Sequence, residues 1–320
     1  MISFQELKYV SEDNKAGLGV FGVVVILGLM VNAFIVAVNL LDWIKQKQVK
    51  PSEKTMVMIA TSRLCFHCVS ALDIYHTIHI EQSPIMDAGD YIDFSMLFFN
   101  YSSLWYVSLL AAVFCLKIAN YSNALFVGVK TIILRRFSLF IVAAAVISFL
   151  SVALFMWADD LHVVSKNHPY AHQLNGTRNW GEAYTLAGIF ILGYLGPFSI
   201  YSFSFYLFVT SLCLHMNQMR SNSNGFSTRR QDGYYAAIKA VTVCFAIYCL
   251  SIGSNIFHFF YYSRIDILKV NTWINTWPIL HSIYLIYRDN KLRQRLQAML
   301  RCLIPRRGIR PLGSELDTIA

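Results

Sequence analysis

The chain has 320 residues, of which 56% are hydrophobic and only 14% are charged. A soluble domain carries roughly a quarter charged residues, so this composition excludes an ordinary soluble protein and indicates an integral membrane protein. The formal net charge of +9 does not indicate nucleic-acid binding, because the basic residues are confined to particular loops.

Seven stretches are apolar and long enough for membrane-spanning helices, since about 20 residues cross the hydrocarbon core. They cover residues 16–44, 55–78, 91–116, 137–157, 183–214, 235–262 and 267–287. We read segment 121–136 as a loop. The sequence therefore predicts an all-α membrane protein, with an amino-terminal segment at 1–15, a seven-transmembrane helix bundle at 16–287 and a tail at 288–320.

The tail begins with a leucine pattern. Leu292, Leu296, Leu300 and Leu303 recur at helical spacing with arginines between them. This pattern predicts an amphipathic helix lying on the inner membrane surface. Cys302 near its end is a candidate for palmitoylation, and a plain buried thiol is the alternative.

The distribution of basic residues predicts the orientation. Most of the 27 Lys and Arg residues fall in 45–54, 117–136, 220–239 and 288–310. Cytoplasmic loops carry such an excess. Independently, Asn175-Gly176-Thr177 is an N-glycosylation acceptor, which is meaningful only outside the cell. We therefore predict a multi-pass plasma-membrane protein with an extracellular amino terminus and a glycan at Asn175.

Two of the polar side chains inside the apolar spans constrain the packing most. Asn100 lies in the outer half of the third span, where its amide must bond to another helix, to water or to a ligand. A structural bond and a ligand contact are equally compatible with the sequence. Arg63 in the second span must face the bundle interior, and we expect it to be tied to Asn32 and the seventh span.

The seven cysteines include none in a predicted external loop, so no extracellular disulfide framework is expected. Cys65 and Cys68 have a CxxC-like spacing, but no second pair or set of histidines accompanies them. We read them as packing residues and predict no metal site and no cofactor.

A family resemblance runs through nearly the whole chain. LKIANYSN at 116–123 resembles the end of the third helix of bitter taste receptors, the taste receptor type 2 family. Further similar fragments follow the family's order: GLMVNAFIVAVNLLDWIKQKQ at 28–48, ATSRL at 60–64, LWYVS at 104–108, GPF at 196–198, AIYCLS at 246–251 and HSIYLIYRDNKLRQ at 281–294. The chain departs from the family pattern at Met96, Tyr101, Phe114, Tyr234 and Arg288-Asp289.

This resemblance implies a G-protein-coupled receptor that binds small organic bitter agonists in an outer transmembrane pocket and activates a gustducin-like heterotrimeric G protein. The implied ligand-binding residues are Met96, Asn100, Leu104, Phe190, Tyr248, Ser251, Asn255, Asn271 and Ile274. For Tyr248 an interhelical hydrogen bond is the alternative role. The implied switch network is Asn32, Arg63, His281 and Ser282. The implied G-protein-facing residues are Lys117, Tyr121, His215 and Lys239. The lipid bilayer is a further partner, and a receptor oligomer is left open.

Three other classes are weighed against this one. A vomeronasal, pheromone-type receptor has a similar seven-helix plan, but the fragments at 116–123 and 281–287 favour the taste family. A transporter should show internal repeats, and none is visible. A membrane enzyme needs convergent acidic or histidine side chains, and His67, Asp73 and His76 form the only cluster, so we predict no enzyme.

Overall fold

The structure is a computed structural model that describes residues 12–46, 50–79, 86–118, 124–166, 190–221, 228–261 and 267–303. Within these ranges the regular structure is entirely helical, which confirms the predicted all-α class. The helices are α1 (Glu12–Gln46), α2 (Pro51–His79), α3 (Met86–Ile118), α4 (Ala124–Arg135), α5 (Phe137–Lys166), α6 (Gly196–Ser221), α7 (Thr228–Tyr261), α8 (Ile267–Arg288) and α9 (Asn290–Leu303). A π-helical turn, Ile191–Leu195, leads directly into α6.

Six of the described helices are long and apolar enough to cross a membrane: α1, α2, α3, α5, α7 and the π turn with α6. The predicted seventh span, α8, is not among them, although it has 22 residues. Its buried side includes Asn271, Asn275, His281 and Ser282, and α8 packs against α1, α2 and α7. These inward-facing polar groups lower the mean hydropathy of α8. A membrane span tolerates them because their hydrogen-bond partners lie on neighbouring helices.

The sequence predicted a loop over 121–136. The structure corrects this prediction, because helix α4 occupies Ala124–Arg135. Basic residues had marked this segment as a connection, but the apolar residues between them are sufficient for three helical turns. The first and fourth spans are also longer than predicted, with α1 beginning at Glu12 and α5 continuing to Lys166. Residues 183–189 of the predicted fifth span lie outside the described ranges.

We call the end of the bundle at which α1 and α3 finish, with Lys45 and Lys117 in their last turns, the basic end. The opposite end, where α1 begins, is the amino-terminal end.

α3 is the central helix, packed against α2, α5 and α6. Residues 101–108 of α3 are all buried, as expected for a helix surrounded by protein on every side. Where Tyr101 meets the π turn there is no room for a side chain, because a Cβ at residue 193 would lie 2.8 Å from the tyrosine ring. Gly193 therefore allows the backbone of the π turn to approach α3 closely.

Pro197 explains a hydrogen bond between α3 and the π turn. The N–H of Gly196 donates to the carbonyl of Ile191, and Pro197 has no N–H to offer the next carbonyl, that of Leu192. The indole Nε1 of Trp105 donates to this freed carbonyl at 3.2 Å. The proline thus frees an acceptor that ties the π turn to α3.

The amphipathic helix predicted from the leucine pattern is present as α9, at the basic end. Asp289 caps it, since its Oδ1 accepts hydrogen bonds from the backbone N–H groups of Lys291 at 2.9 Å and Leu292 at 3.1 Å. The Nζ of Lys291 pairs with Asp42 of α1 at 3.0 Å and with Glu53 of α2 at 3.2 Å. Partial burial alone would lower the pKa of Lys291, but its hydrogen bonds to Asp42 and Glu53 raise it above its usual range. Lys291 therefore holds α9 to both helices as a cation.

Cys302 is exposed on α9, so the buried-thiol alternative is wrong. The predicted palmitoylation remains a prediction.

Removal of the cap should destabilise α9. We expect Asp289→Ala to lower the free energy of unfolding by about 1 kcal/mol, because two backbone donors lose their acceptor. Thermal unfolding of the purified protein in detergent measures this. The matched control is Asn290→Ala, since Asn290 bonds only to the side chain of Arg293 at an exposed position. Equal melting temperatures for the two variants would contradict the capping role.

Candidate functional site

A small cavity lies between α2, α3, α7 and α8, in the middle of the bundle. It is lined by Arg63, Asn100, Ser103, Leu104, Ile247, Tyr248, Ser251, Trp277, Pro278 and His281. Its volume is about 10 Å³, close to the room that one water molecule needs. A drug-sized molecule would therefore require the helices to move apart.

A pair of asparagines bridges α3 and α7 at this cavity. The Nδ2 of Asn100 donates to the Oδ1 of Asn255 at 2.7 Å, and the Nδ2 of Asn255 donates to the carbonyl of Ser251, also at 2.7 Å. Both asparagines are buried. Asn100 therefore makes an interhelical hydrogen bond, which is one of the two roles that the sequence left open. A ligand could in turn replace Asn255 as the partner of Asn100.

Arg63 joins four helices on another side of the cavity. Its Nε donates to Ser103 of α3 at 3.1 Å, and its Nη1 donates to Nδ1 of His281 at 3.2 Å and to Ser282 of α8 at 2.7 Å. The hydroxyl of Ser282 then donates to Asn32 of α1 at 2.8 Å. The residues predicted as a switch network are therefore in one connected set of hydrogen bonds, and Ser103 is a member that the sequence analysis missed.

Tyr248 connects α7 to α3 and α6. Its hydroxyl lies 2.9 Å from that of Ser108, which in turn is 2.7 Å from the carbonyl of Pro197. The ring of Tyr248 stacks on Tyr201 of α6 with 4.5 Å between centroids. Tyr248 therefore makes the interhelical bond that the sequence left open, and it also lines the cavity.

A second polar chain joins α2 and α8 beyond the cavity. His67 Nδ1 lies 2.7 Å from Asn275 Oδ1, and Asn275 Nδ2 donates to Ser70 at 2.9 Å. One turn away, Asn271 donates to Asp73 at 3.3 Å. The sequence analysis missed Asn275, although its spacing of four from Asn271 would have placed both amides on one face of α8.

Five of the predicted ligand-binding residues, including Asn255, do not line this cavity. Met96 and Ile274 pack with Phe66 in a cluster between α2, α3 and α8. Phe190 packs against Tyr194 of the π turn, with ring centroids 5.9 Å apart. Asn271 faces Asp73, as described above. These residues surround the cavity region, and an opened pocket would have to reach them.

A second cavity, of about 30 Å³, opens near the basic end. Apolar side chains of α3, α6 and α7 line it together with Arg288, whose guanidinium lies over the ring of Phe114 at 5.1 Å. The predicted G-protein-facing residues Lys117, His215 and Lys239 are exposed.

Tyr121 and Asn175 lie outside the described residues. Within the described ranges, no three His, Cys, Asp or Glu side chains are grouped so as to hold a metal ion.

Comparisons with known proteins agree on one family. The family model described as "Taste receptor protein (TAS2R)" matches residues 13–304. The chain is 23% identical to rat (Rattus norvegicus) taste receptor type 2 member 41, over 88% of this chain and 94% of that protein. It is 29% identical to taste receptor type 2 member 9 of Macaca mulatta, over 86% of this chain and 90% of that protein.

The fold is also similar to a solved structure. The crystal structure of squid rhodopsin matches with a TM-score of 0.60 at 12% identity, covering 89% of this chain and 85% of that one. This likeness confirms the seven-helix bundle fold. The pheromone-type alternative is not favoured by these comparisons.

Proposed function

The chain belongs to the taste receptor type 2 family, and on that premise we propose how this G-protein-coupled bitter taste receptor binds its agonists and responds to them. Agonists enter between α3, α7 and α8 and occupy the cavity beside Asn100. The observation that carries this proposal is the buried amide of Asn100, which lines the cavity and is hydrogen-bonded to the buried amide of Asn255 behind it. A ligand that offers an acceptor to Nδ2 of Asn100 and a donor to Oδ1 of Asn255 can therefore separate the pair without leaving either asparagine unpaired.

Agonist binding widens the cavity. Asn100, Leu104, Tyr248 and Ser251 make the first contacts, since they line the cavity in its small form. As α7 moves away from α3, Met96, Phe190, Asn271, Asn255 and Ile274 become the wall of the enlarged pocket. Mostly apolar walls with a few polar groups suit varied small organic ligands.

The response travels to the basic end through Tyr248. Movement of α7 strains the hydrogen bond between Tyr248 and Ser108. Because Ser108 also bonds to the carbonyl of Pro197, the strain is passed on to α6. An agonist that binds the widened state more tightly shifts the population towards it. The Arg63 network, which ties α2, α3 and α8 together, sets the balance between the two states.

The basic end faces the cytoplasm in this proposal. Positive-inside bias supports that orientation, and it places the amino terminus and the Asn175 acceptor outside the cell. A heterotrimeric G protein, gustducin-like in type, docks at the cavity lined by Arg288 and touches Lys117, Tyr121, His215 and Lys239. We assign no catalytic role to His67, Asp73 or His76, because His67 and Asp73 are bound to neutral amides of α8.

The amide pair gives the sharpest test. In cells that co-express a gustducin-like chimeric G protein, we expect Asn100→Ala to raise the half-maximal agonist concentration by about ten- to a hundredfold, as loss of one or two ligand hydrogen bonds implies. Asn255→Ala should act similarly, and the double variant should be little worse than either single one, since both remove the same unit. Calcium release against a panel of bitter compounds is the measurement.

The matched control is Ser254→Ala, because Ser254 is adjacent on α7 and, among the described residues, its hydroxyl bonds only to the carbonyl of Leu250. Surface expression is measured for every variant. An unchanged agonist response in Asn100→Ala at normal surface expression would overturn the proposed pocket.

A further inference from the structure

We propose that the wall of the agonist cavity formed by Trp277 and Arg63 is a carboxylate subsite, so that the receptor favours agonists carrying a carboxylate over their neutral esters. This inference rests on the proposed function, because it assigns a ligand class to the same cavity. It is carried by a buried cation and a buried, unpartnered donor whose side chains line one small cavity.

Arg63 supplies the charge. Its side chain is buried, with 4% of the residue exposed, and its hydrogen-bond partners are two serine hydroxyls and an imidazole. An arginine has donors only, so Nδ1 of His281 must be the acceptor. The ion pairs among the described residues lie between α9 and the ends of α1 and α2, so none of them neutralises Arg63.

Trp277 supplies an unused donor in the same cavity. Its indole nitrogen is buried and has no hydrogen-bond partner within the described part of the chain. The indole N–H can only donate. A buried donor without an acceptor is unfavourable, so an acceptor delivered by a ligand would remove a cost that the protein already carries.

The chemistry of these two groups selects the ligand. An ionised carboxylate has two acceptor oxygens and no donor, one charge to balance the guanidinium, and a flat shape that suits a narrow cavity. A methyl ester keeps the size and the carbonyl but loses the charge. A neutral agonist can therefore satisfy Trp277, whereas a carboxylate can satisfy Trp277 and also attract Arg63, which is barely screened at this depth.

The position fits a ligand that spans the cavity. Asn100 and Ser251 line it together with Trp277 and Arg63. An aromatic carboxylic acid can therefore place its carboxylate at Trp277 and Arg63 while its apolar body lies against Leu104 and the widened space near Asn100.

The experiment compares acids with their methyl esters. Calcium release is measured for a panel of aromatic carboxylic acids and the matching esters, on wild type, Trp277→Phe and the control Trp273→Phe. Trp273 neighbours Trp277 at 5.1 Å between ring centroids but is exposed. Phenylalanine keeps an aromatic ring and removes the N–H.

We expect wild type and Trp273→Phe to respond to the acids at about tenfold lower concentration than to the esters. Trp277→Phe should need about ten- to a hundredfold more acid, as loss of a hydrogen bond to a charged group implies, whereas it should need only about two- to fivefold more ester, because the bond lost there is to a neutral carbonyl. The retained ester response shows that the variant is folded.

Equal potency of acids and esters on wild type overturns the proposal, whatever the variants do. An equal loss of acid and ester response in Trp277→Phe also overturns it, because the residue then acts only through packing. A receptor that responds to neutral bitter compounds but to no acid overturns the carboxylate subsite and leaves the proposed function in place. Silence to every compound at confirmed surface expression counts against both.

Discussion

Arg63→Ala should abolish the agonist response, mainly because little folded receptor reaches the cell surface. The substitution deprives Ser103, His281 and Ser282 of their shared donor and leaves a hole where the guanidinium was. Unpaired buried groups cost about 1–3 kcal/mol each, and the cavity adds to this, so a loss of about 3 kcal/mol or more is expected. Most domains are stable by only 5–15 kcal/mol. Surface immunostaining together with agonist dose–response curves measures the effect.

Arg295→Ala is the control for loss of a positive charge. Arg295 is an exposed arginine of α9 that pairs with Asp42 at 3.4 Å, and exposed pairs contribute less than about 1 kcal/mol. We expect this variant to behave like wild type. If Arg63→Ala showed near-normal surface expression and a near-normal response, the network would have neither a folding role nor a switching role.

Gly28→Ala should be the second severe substitution, although it adds only one methyl group. A Cβ at residue 28 would lie 2.5 Å from Nε2 of His67. That ring cannot move aside, because it is fully buried and its other nitrogen is bound to Asn275 at 2.7 Å. Overpacking of this kind costs about 1–3 kcal/mol, and here it also separates α1 from α2. Thermal unfolding in detergent and surface expression measure the loss.

Gly22→Ala is the matched control on the same helix. No atom lies within 4 Å of a Cβ at residue 22, so alanine should stabilise α1 by about 0.5–1 kcal/mol through its better helix propensity. His67→Ala should relieve the clash when combined with Gly28→Ala, so that the double variant is more stable than the sum of the single losses predicts. Strict additivity would show that the two positions do not interact.

The hydrogen-bonded network around Arg63 was predictable from sequence, because an unpaired polar side chain within an apolar span costs free energy. An arginine in the middle of α2 had to face the bundle interior, which predicted its tie to Asn32 and the seventh span, and the family resemblance implied His281 and Ser282 as the partners on that span. The hydrogen bonds from Arg63 to α8 and onward to Asn32 have the predicted partners. The role of this network in state switching stays a prediction.

The wall of the cavity was less predictable because sequence alone does not fix how a helix is rotated about its axis. Each residue turns the helix by about 100°, so a small error in phase exchanges a cavity residue for one that faces a neighbour. Asn271 and Ile274 were assigned to the ligand, but they face α2 and α3. Trp277, one turn beyond Trp273, lines the cavity instead.

The π turn adds a local cause of such errors. A single residue inserted into a turn rotates everything before it relative to α6. The family resemblance implied that Phe190 contacts the ligand, but its ring packs against Tyr194 of the π turn. The signal that was available is the GPF sequence at 196–198, where Pro197 withholds a hydrogen bond.

Two departures from the family pattern meet in the structure. Phe114 and Arg288, which stand where the family pattern has tyrosine and glycine, contact each other at the cavity near the basic end. Sequence analysis identified both positions but could not show that they are neighbours, because they are far apart in the chain.

The polarity of α8 has a consequence for how the receptor is made. A helix that carries four buried polar side chains on one face gains little by entering lipid alone, since each such group opposes insertion. α8 is also the last span to leave the ribosome, and its partners Asn32, Arg63 and Ser70 are on the first two. α8 therefore inserts stably only against helices that are already in the bilayer and that supply its hydrogen-bond partners. Loss of Ser70, which bonds to Asn275 and belongs neither to the cavity wall nor to the Arg63 network, would reduce the number of receptors delivered to the cell surface, so the maximal signal would fall while the agonist concentration for half of that signal stays the same.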